Sequence, residues 1–478
     1  MLSPLALLIL CLAGSPTVSS VRPNAIPLIP GTPSPVFKIT LDQDIPQKPT
    51  RARLDPHPAV SSTGLKRTGD AEFTITATLS ADTPLNKSVR LTLHSLELAD
   101  GTTIPTPKTH TFRPAYPLHR RGEHNCHTTR IPAITRTNDG TLLAVYDLRY
   151  NSAKDLQEHI DIGLSRSTDG GQTWEKPRPV MDMADFGGKP QKENGCSDPN
   201  ILVDPRTGKI FVAAVWTHGK PNTHQWRSNG SEPGFELHQS SQFMVVSSTD
   251  DGLTWSAPEN WTRQLKNPGW HLFAPCPGNG IALADGTLVM PTAGRDETGL
   301  PFSNIITSRD HGQTWSVATA ARRDTNECAV AELSDGSLIL SMRDNRNRKD
   351  KSKTNGRAIS TTTDRGRTWT KHPADHGALP EPVCMASLIS HTLPDGRHLL
   401  LFSNPHHKNS RRNITIQASL DDGLTWPEKH HILLDQGTGK GYSSLVMVDE
   451  ETIGIIYESS QANLVFQLIP LNELQFGL

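Results

Sequence analysis

Arginines, carboxylates and one tyrosine recur in this chain at equivalent places, and together they could bind an anion. Arg130, Arg149 and Asp155 come first. Asp198, Arg295 and Asp296, Glu327 and Arg343, and Arg411 follow, and Tyr442 and Glu458 come last. Each falls just before the first strand of a predicted hairpin, just after its second strand, or in the link from the second strand to the third. In antiparallel hairpins those three places share one end. A single Arg or Asp at a strand end is an ordinary solvated residue. Several guanidiniums gathered from different units around carboxylates and a phenol make an anion site, because guanidinium binds carboxylate through paired, charge-assisted hydrogen bonds.

The elements that position these residues are marked by a turn written five times. It reads Ser167-Thr-Asp169-Gly-Gly171-Gln-Thr173-Trp174, and it returns around Asp250, Asp310, Asp364 (with Thr362 in place of Ser) and Asp421. Ser and Asp side chains accept from backbone N–H groups two residues on, Gly supplies a positive φ, and Thr-Trp restarts a strand. The spacing suits one four-stranded propeller blade per turn. Between the turns lie first hairpins at Ile131 to Leu148, Ile201 to Trp216, Ile281 to Thr292, Ala329 to Met342, Ala386 to Phe402 and Ser444 to Tyr457. After the sixth comes only Asn463 to Leu468, read as the outer part of an irregular last blade. The reading is all-β: a six-bladed propeller over 114–478, with the repeated turns on the face opposite the charged cluster.

Before it, alternating runs between 36 and 113 read as a small β-sandwich, open to either carbohydrate binding or a packing role. The Pro-rich segment 21–35 reads as a linker. Residues 1–20 read as a signal peptide, with an apolar run from Leu5 to Gly14 too short to span a bilayer, so a secreted or periplasmic protein is expected. Net charge is −1 over 478 residues, which argues against nucleic acid or an anionic membrane as partner. After loss of Cys11, Cys126, Cys196, Cys276, Cys328 and Cys384 remain, with no C-x-x-C pair, so no zinc site is signalled and two isolated disulfides stay possible. Sequons stand at Asn86, Asn229, Asn260 and Asn413. His406-His407 reads as a solvated loop pair.

Thr129-Arg130-Ile131-Pro132 resembles the Arg-Ile-Pro motif of the sialidases (neuraminidases), and the five turns resemble that family's Asp-boxes, over roughly Leu118 to the C-terminus. The resemblance implies an exo-α-sialidase acting on sialylated glycans (glycoproteins, glycolipids or oligosaccharides) without a metal or cofactor. It implies a carboxylate-binding triad of Arg130, Arg343 and Arg411, with Arg412 adjacent as the alternative third member. It makes Asp155 the acid/base, with Asp161 as competitor, and Tyr442 the nucleophile paired with Glu327. Arg149 and Asp198 match positions near the sugar's substituents, and Glu458 matches the carboxylate that steadies the first arginine. The chemistry fits: a carboxylate nucleophile would meet the substrate's own carboxylate with like charge, whereas a phenol is neutral until it attacks, and retention follows. A trans-sialidase, an intramolecular trans-sialidase and a non-catalytic sialoglycan-binding propeller are the alternatives.

Overall fold

The computed structural model describes residues 17–42, 49–219, 230–352 and 356–476. The apolar run at Leu5, Cys11 and the sequon at Asn229 lie outside them. The chain forms two compact units, Met1–Thr83 with Ser88–Phe112, and Pro84–Lys87 with Arg113–Leu478.

In the first unit, strict alternation in Glu72–Leu79 buries Phe73, Ile75, Ala77 and Leu79, as a strand with one face on a core requires. Four strands pair in the order Val18–Pro23, Ser34–Leu41, Glu72–Leu79, Val60–Arg67, and three more as Pro49–Leu54, Val89–Leu98, Thr103–Phe112. Both sheets contribute to one core, where Phe37 meets Phe112 edge-on at 5.7 Å. The linker expected at 21–35 is corrected here. Val18–Pro23 pairs antiparallel with Ser34–Leu41, and Ala25, Ile26, Leu28 and Ile29 are buried between them. The prolines do interrupt regular structure, but the apolar residues between them fill the core, and burial overrides the extended preference of a Pro-rich stretch.

The described residues of the second unit form six sheets, antiparallel but for one short pairing in blade 2, and these are the blades of the propeller. Blade 1 comprises Thr128–Arg136, Leu142–Arg149, Ile160–Ser167 and Arg178–Met181. Blades 4 and 5 repeat that plan from Thr325–Glu332 and Ser387–Thr392, and blade 2 adds Gly278–Asn279, parallel to Cys196–Val203. Blade 3 departs from the sequence reading. Its inner edge is split between Leu272–Pro275 and Ile281–Ala282, because Pro275 and Pro277 cannot donate to a ladder. Blade 6 departs too: Leu464–Pro470 is its third strand, not its outer part, and Tyr116–His119 from the start of the unit supplies the fourth. Joining the start and the end of the unit in one sheet closes the ring of blades.

Each repeated turn is a self-contained set of bonds. Ser167 Oγ donates to Asp169 Oδ1 (2.8 Å) and accepts from Gly171 N (2.9 Å), and Asp169 also takes the amide and hydroxyl of Thr173 (3.0 and 2.6 Å). The reach is four residues, not two. The same bonds recur in the other four copies. Between the Asp and the Gly stands a second left-handed residue, Gly170, Asp251, His311, Arg365 or Asp422. In the last four its side chain reaches the first hairpin turn of the preceding blade: Asp251 to Thr141 (2.6 Å), His311 to Asp204 (2.8 Å), Arg365 to Asp285, and Asp422 to Ser334. The turns therefore rivet neighbouring blades at one rim. Leu142 pairs with Ser167 and Arg149 with Ile160, so blade 1's turn and Arg149 sit at opposite ends of a strand about 24 Å long.

A Cβ at Gly312, where φ is +78°, would lie 2.3 Å from Phe211 of the preceding blade, whereas at Gly336, φ +79°, it meets open space. Gly336→Ala should cost about 1 kcal/mol from backbone strain alone, and Gly312→Ala about 3 kcal/mol, because the ring must also be displaced. Thermal melts of the two variants check this.

Candidate active site

Three inner strands carry a β-bulge at the end away from the rivets, and each bulge holds site residues. Ile131 and Pro132 oppose Tyr146, Asp198 and Pro199 oppose Ala214, and Asn326 and Glu327 oppose Arg343. Ile131 and Asp198 take positive φ, 57° and 63°. A bulge turns the chain out of the ladder and re-aims its side chains, and in the first two a proline, Pro132 or Pro199, is the sequence signal for it. The bulges open on a cavity of about 910 Å³ lined by Arg130, Asp155, Asp198, Glu327, Arg343, Arg411 and Tyr442.

Tyr442 is at the centre. Its hydroxyl donates to Glu327, and Arg343 Nη1 donates both to Glu327 Oε2 (2.5 Å) and to the Tyr442 oxygen (3.0 Å). The guanidinium carbons of Arg130 and Arg411 lie 5.6 and 5.5 Å from the Tyr442 ring centroid. Three cations thus surround one phenol. Arg411 also donates to the carbonyls of Lys440 (2.9 Å) and Val383 (3.0 Å), while the exposed Arg412 turns to His407. Of these two neighbours, Arg411 is the one that faces Tyr442.

Burial pushes the Tyr442 hydroxyl well above the usual phenol range, and the negative Glu327 pushes the same way against Arg343 and Arg411. Burial alone would raise Glu327, but the Arg343 guanidinium and the Tyr442 hydroxyl outweigh it and hold that carboxyl below its usual range. At neutral pH the proton of the pair rests on Tyr442.

Glu458 does not line the cavity. Its carboxylate takes three buried donors, Arg130 Nε (2.6 Å), Ile131 N (3.0 Å) and Tyr442 N (2.9 Å), so it ties the first arginine to the backbone of the tyrosine across two blades. Arg149, expected near the substrate, is corrected to a position behind the wall. It is 1% exposed, with Asp147 gripping Nε and Nη2 (3.0 and 2.7 Å) and Asp155 accepting from Nη1 (2.8 Å). The half-exposed Asp155 also faces Arg130 at 3.9 Å. Asp161 keeps its strand position paired with Leu148, bonds Tyr150 (2.9 Å), and is pushed up to about 7 by burial. Of the two other acid candidates, only Asp155 reaches the cavity.

Sequence reasoning missed Asp147. Fully buried, it holds Arg149, the Ser197 hydroxyl (2.7 Å) and the Asp198 amide (3.2 Å). The signal was a charged pair two residues apart, on one face of an otherwise apolar strand. Glu381 was missed as well. It pairs with buried Arg357 (3.1 Å) and accepts from Asp344 N (2.8 Å) and Asn347 Nδ2 (2.6 Å), fixing the chain just after Arg343. The five described cysteines are buried and unbridged, and Cys276 and Cys328 approach to 3.6 Å between their sulfurs.

Asp198 is pushed well above the usual carboxylate range, first by burial and then by the charges of Glu327, Asp147 and Asp155. An acid raised in the folded state destabilises the fold increasingly as pH climbs above its unfolded value near 4. Asp198→Asn, which tolerates the left-handed backbone, should therefore raise Tm at pH 7, by an amount worth about 1–2 kcal/mol, and the gain should vanish below pH 4. Melts across pH test it.

Residues 140–455 match the family described as BNR repeat-like domain. The chain is 36% identical to the solved structure of a Hadza microbial sialidase, with a TM-score of 0.86, covering 95% of this chain and 99% of that one. The chain belongs to the sialidase family. It is 50% identical to the sialidase of Bacteroides fragilis over 74% of its own length and 64% of that protein's. It is 34% identical to the sialidase of Micromonospora viridifaciens over 69% and 49%. The chain thus spans less than two thirds of the length of those two relatives.

Proposed function

We propose that this protein is an exo-α-sialidase that hydrolyses terminal α-linked sialic acid with retention through Tyr442. The observation that carries the reading is the Tyr442–Glu327 hydrogen bond inside a ring of three guanidiniums. A sugar with a carboxylate on its anomeric carbon fits it. Arg130, Arg343 and Arg411 hold the carboxylate, which brings the anomeric carbon to the Tyr442 oxygen. Because the resting proton is on Tyr442, it must pass to Glu327 as the carbon–oxygen bond forms, and Arg343, touching both oxygens, stabilises the charge that moves.

Asp155 protonates the leaving glycosidic oxygen and later takes a proton from the attacking water. Glu458 and Arg149 act as positioning residues. The test is a 2,3-difluorinated sialic acid, the ligand of the covalent intermediate of Trypanosoma rangeli sialidase. Mass spectrometry of the digested adduct should place one fluorosugar on the Tyr442 peptide. A label on another residue, or none while an aryl sialoside is turned over, overturns the reading.

A further inference from the structure

Asp155 stands on the link 150–159, between the strands Leu142–Arg149 and Ile160–Ser167, and its side chain is 48% exposed. The link lies outside the strand ladders, so its course is set by what its own residues hold. The three residues after Asp155 turn inward: Leu156, Gln157 and Glu158 are all buried. Leu156 packs in a small apolar cluster with Ile160, Val215 of blade 2, and Leu272 and Ala274 of blade 3, the last two of which line the cavity. Glu158 accepts from Asn151 Nδ2 (2.9 Å) and Ser152 Oγ (3.3 Å), which ties the link back on itself.

Gln157 carries the connection to blade 2. Its Nε2 donates to Thr217 O (2.8 Å), directly after the strand Ile210–Trp216, and lies 3.4 Å from both Asn194 Oδ1 and Gly195 O, directly before Cys196–Val203. Its Oε1 accepts from Glu158 N (2.8 Å), so both ends of the amide are used. The seat is itself held, because Trp216 Nε1 donates to Asn194 Oδ1 (2.6 Å) and Asn194 Nδ2 donates to Ala184 O (2.8 Å). An apolar side chain would fill this place without needing partners, but apolar packing has no direction. An amide bonded to backbone carbonyls has one. Two residues of chain reach at most about 7 Å, so a fixed Gln157 confines Asp155.

We propose that Gln157 is a positioning residue for the acid: seated on blade 2, it holds Asp155 where its proton meets the glycosidic oxygen. The proposal rests on the role given to Asp155 above. Gln157 is fully buried and does not line the cavity, so its effect on rate passes through the link. Misplacing a reacting group by about 1 Å costs about 10²-fold.

The test reads the leaving group. Lactose needs a proton as it departs, whereas nitrophenolate leaves without one. In Gln157→Met, which keeps the volume and removes the directed bonds, kcat/KM for sialyllactose should fall about 10²-fold further than kcat/KM for a nitrophenyl sialoside. Asp155→Asn should show the same split, and a larger one. An equal loss on both substrates in Gln157→Met would make the amide a support of the fold alone, and no loss on either would show that Asp155 is placed without it. Either result beside a split in Asp155→Asn overturns the proposal and leaves the function standing. No turnover by the unmodified protein, or an Asp155→Asn protein without the split, overturns the function as given, and the proposal falls with it. If thermal melts show that the methionine variant does not fold, Gln157→Asn, which keeps an amide but withdraws it by one methylene, is read by the same ratio and against the same two overturning results.

Discussion

Tyr442→Phe should lower kcat on an aryl sialoside by about 10⁴-fold or more while leaving the affinity for free sialic acid within a few-fold. The substitution removes one oxygen. Glu327 keeps its bond to Arg343, and the three guanidiniums that would hold the substrate carboxylate keep their supports, Glu458 for Arg130, Glu327 for Arg343 and the Lys440 and Val383 carbonyls for Arg411. Loss of a buried hydroxyl whose acceptor stays paired costs only about 1 kcal/mol of stability. Rate should thus fall without binding or folding. An undiminished kcat would remove Tyr442 from the mechanism, and a parallel loss of affinity would make it a binding residue. Isothermal calorimetry beside steady-state kinetics separates the outcomes.

Arg343→Met should be damaging in two ways. Because Arg343 bonds both Glu327 and the Tyr442 oxygen, its removal leaves a buried carboxylate without its cation, at about 3–5 kcal/mol. It also removes stabilisation of the moving charge, and kcat/KM should fall by about 10³-fold or more. The pH dependence identifies the cause. In the unmodified protein the folded-state value of Glu327 is depressed, so its contribution is present above the unfolded value near 4 and is lost as pH falls through the folded value. Without Arg343, burial dominates and the folded-state value is raised. The Tm deficit of the variant should therefore be small in acid and grow as pH rises. Adding Glu327→Gln should restore most of the stability at neutral pH and none of the activity. A deficit independent of pH would show that Arg343 matters through packing.

Much of the fold was legible because its marker is local. Every bond of the repeated turn closes within four residues, so the pattern survives in the sequence intact and counts five of the six blades. The site was legible for a related reason. Hairpin geometry puts strand starts and ends at one rim, and Arg130, Asp155, Asp198, Glu327, Arg343, Arg411 and Tyr442 all line one cavity there. Blade 6 was misread because its outer strand comes from Tyr116–His119, some 350 residues away in sequence, where no local rule reaches. The Pro-rich start of the first unit was misread for the same reason, since only burial among distant strands turns Ala25 to Ile29 into core.

By itself the sequence determined the strand class, the blade count, the rim where charge gathers and the residue types of the site, all of which depend on near neighbours along the chain. Tertiary structure alone decided which arginine faces Tyr442 and that Arg149 stands behind Asp155. It also decided how firmly the proton of the Tyr442–Glu327 pair is held on the tyrosine, because each of these depends on burial and charge contributed by other blades.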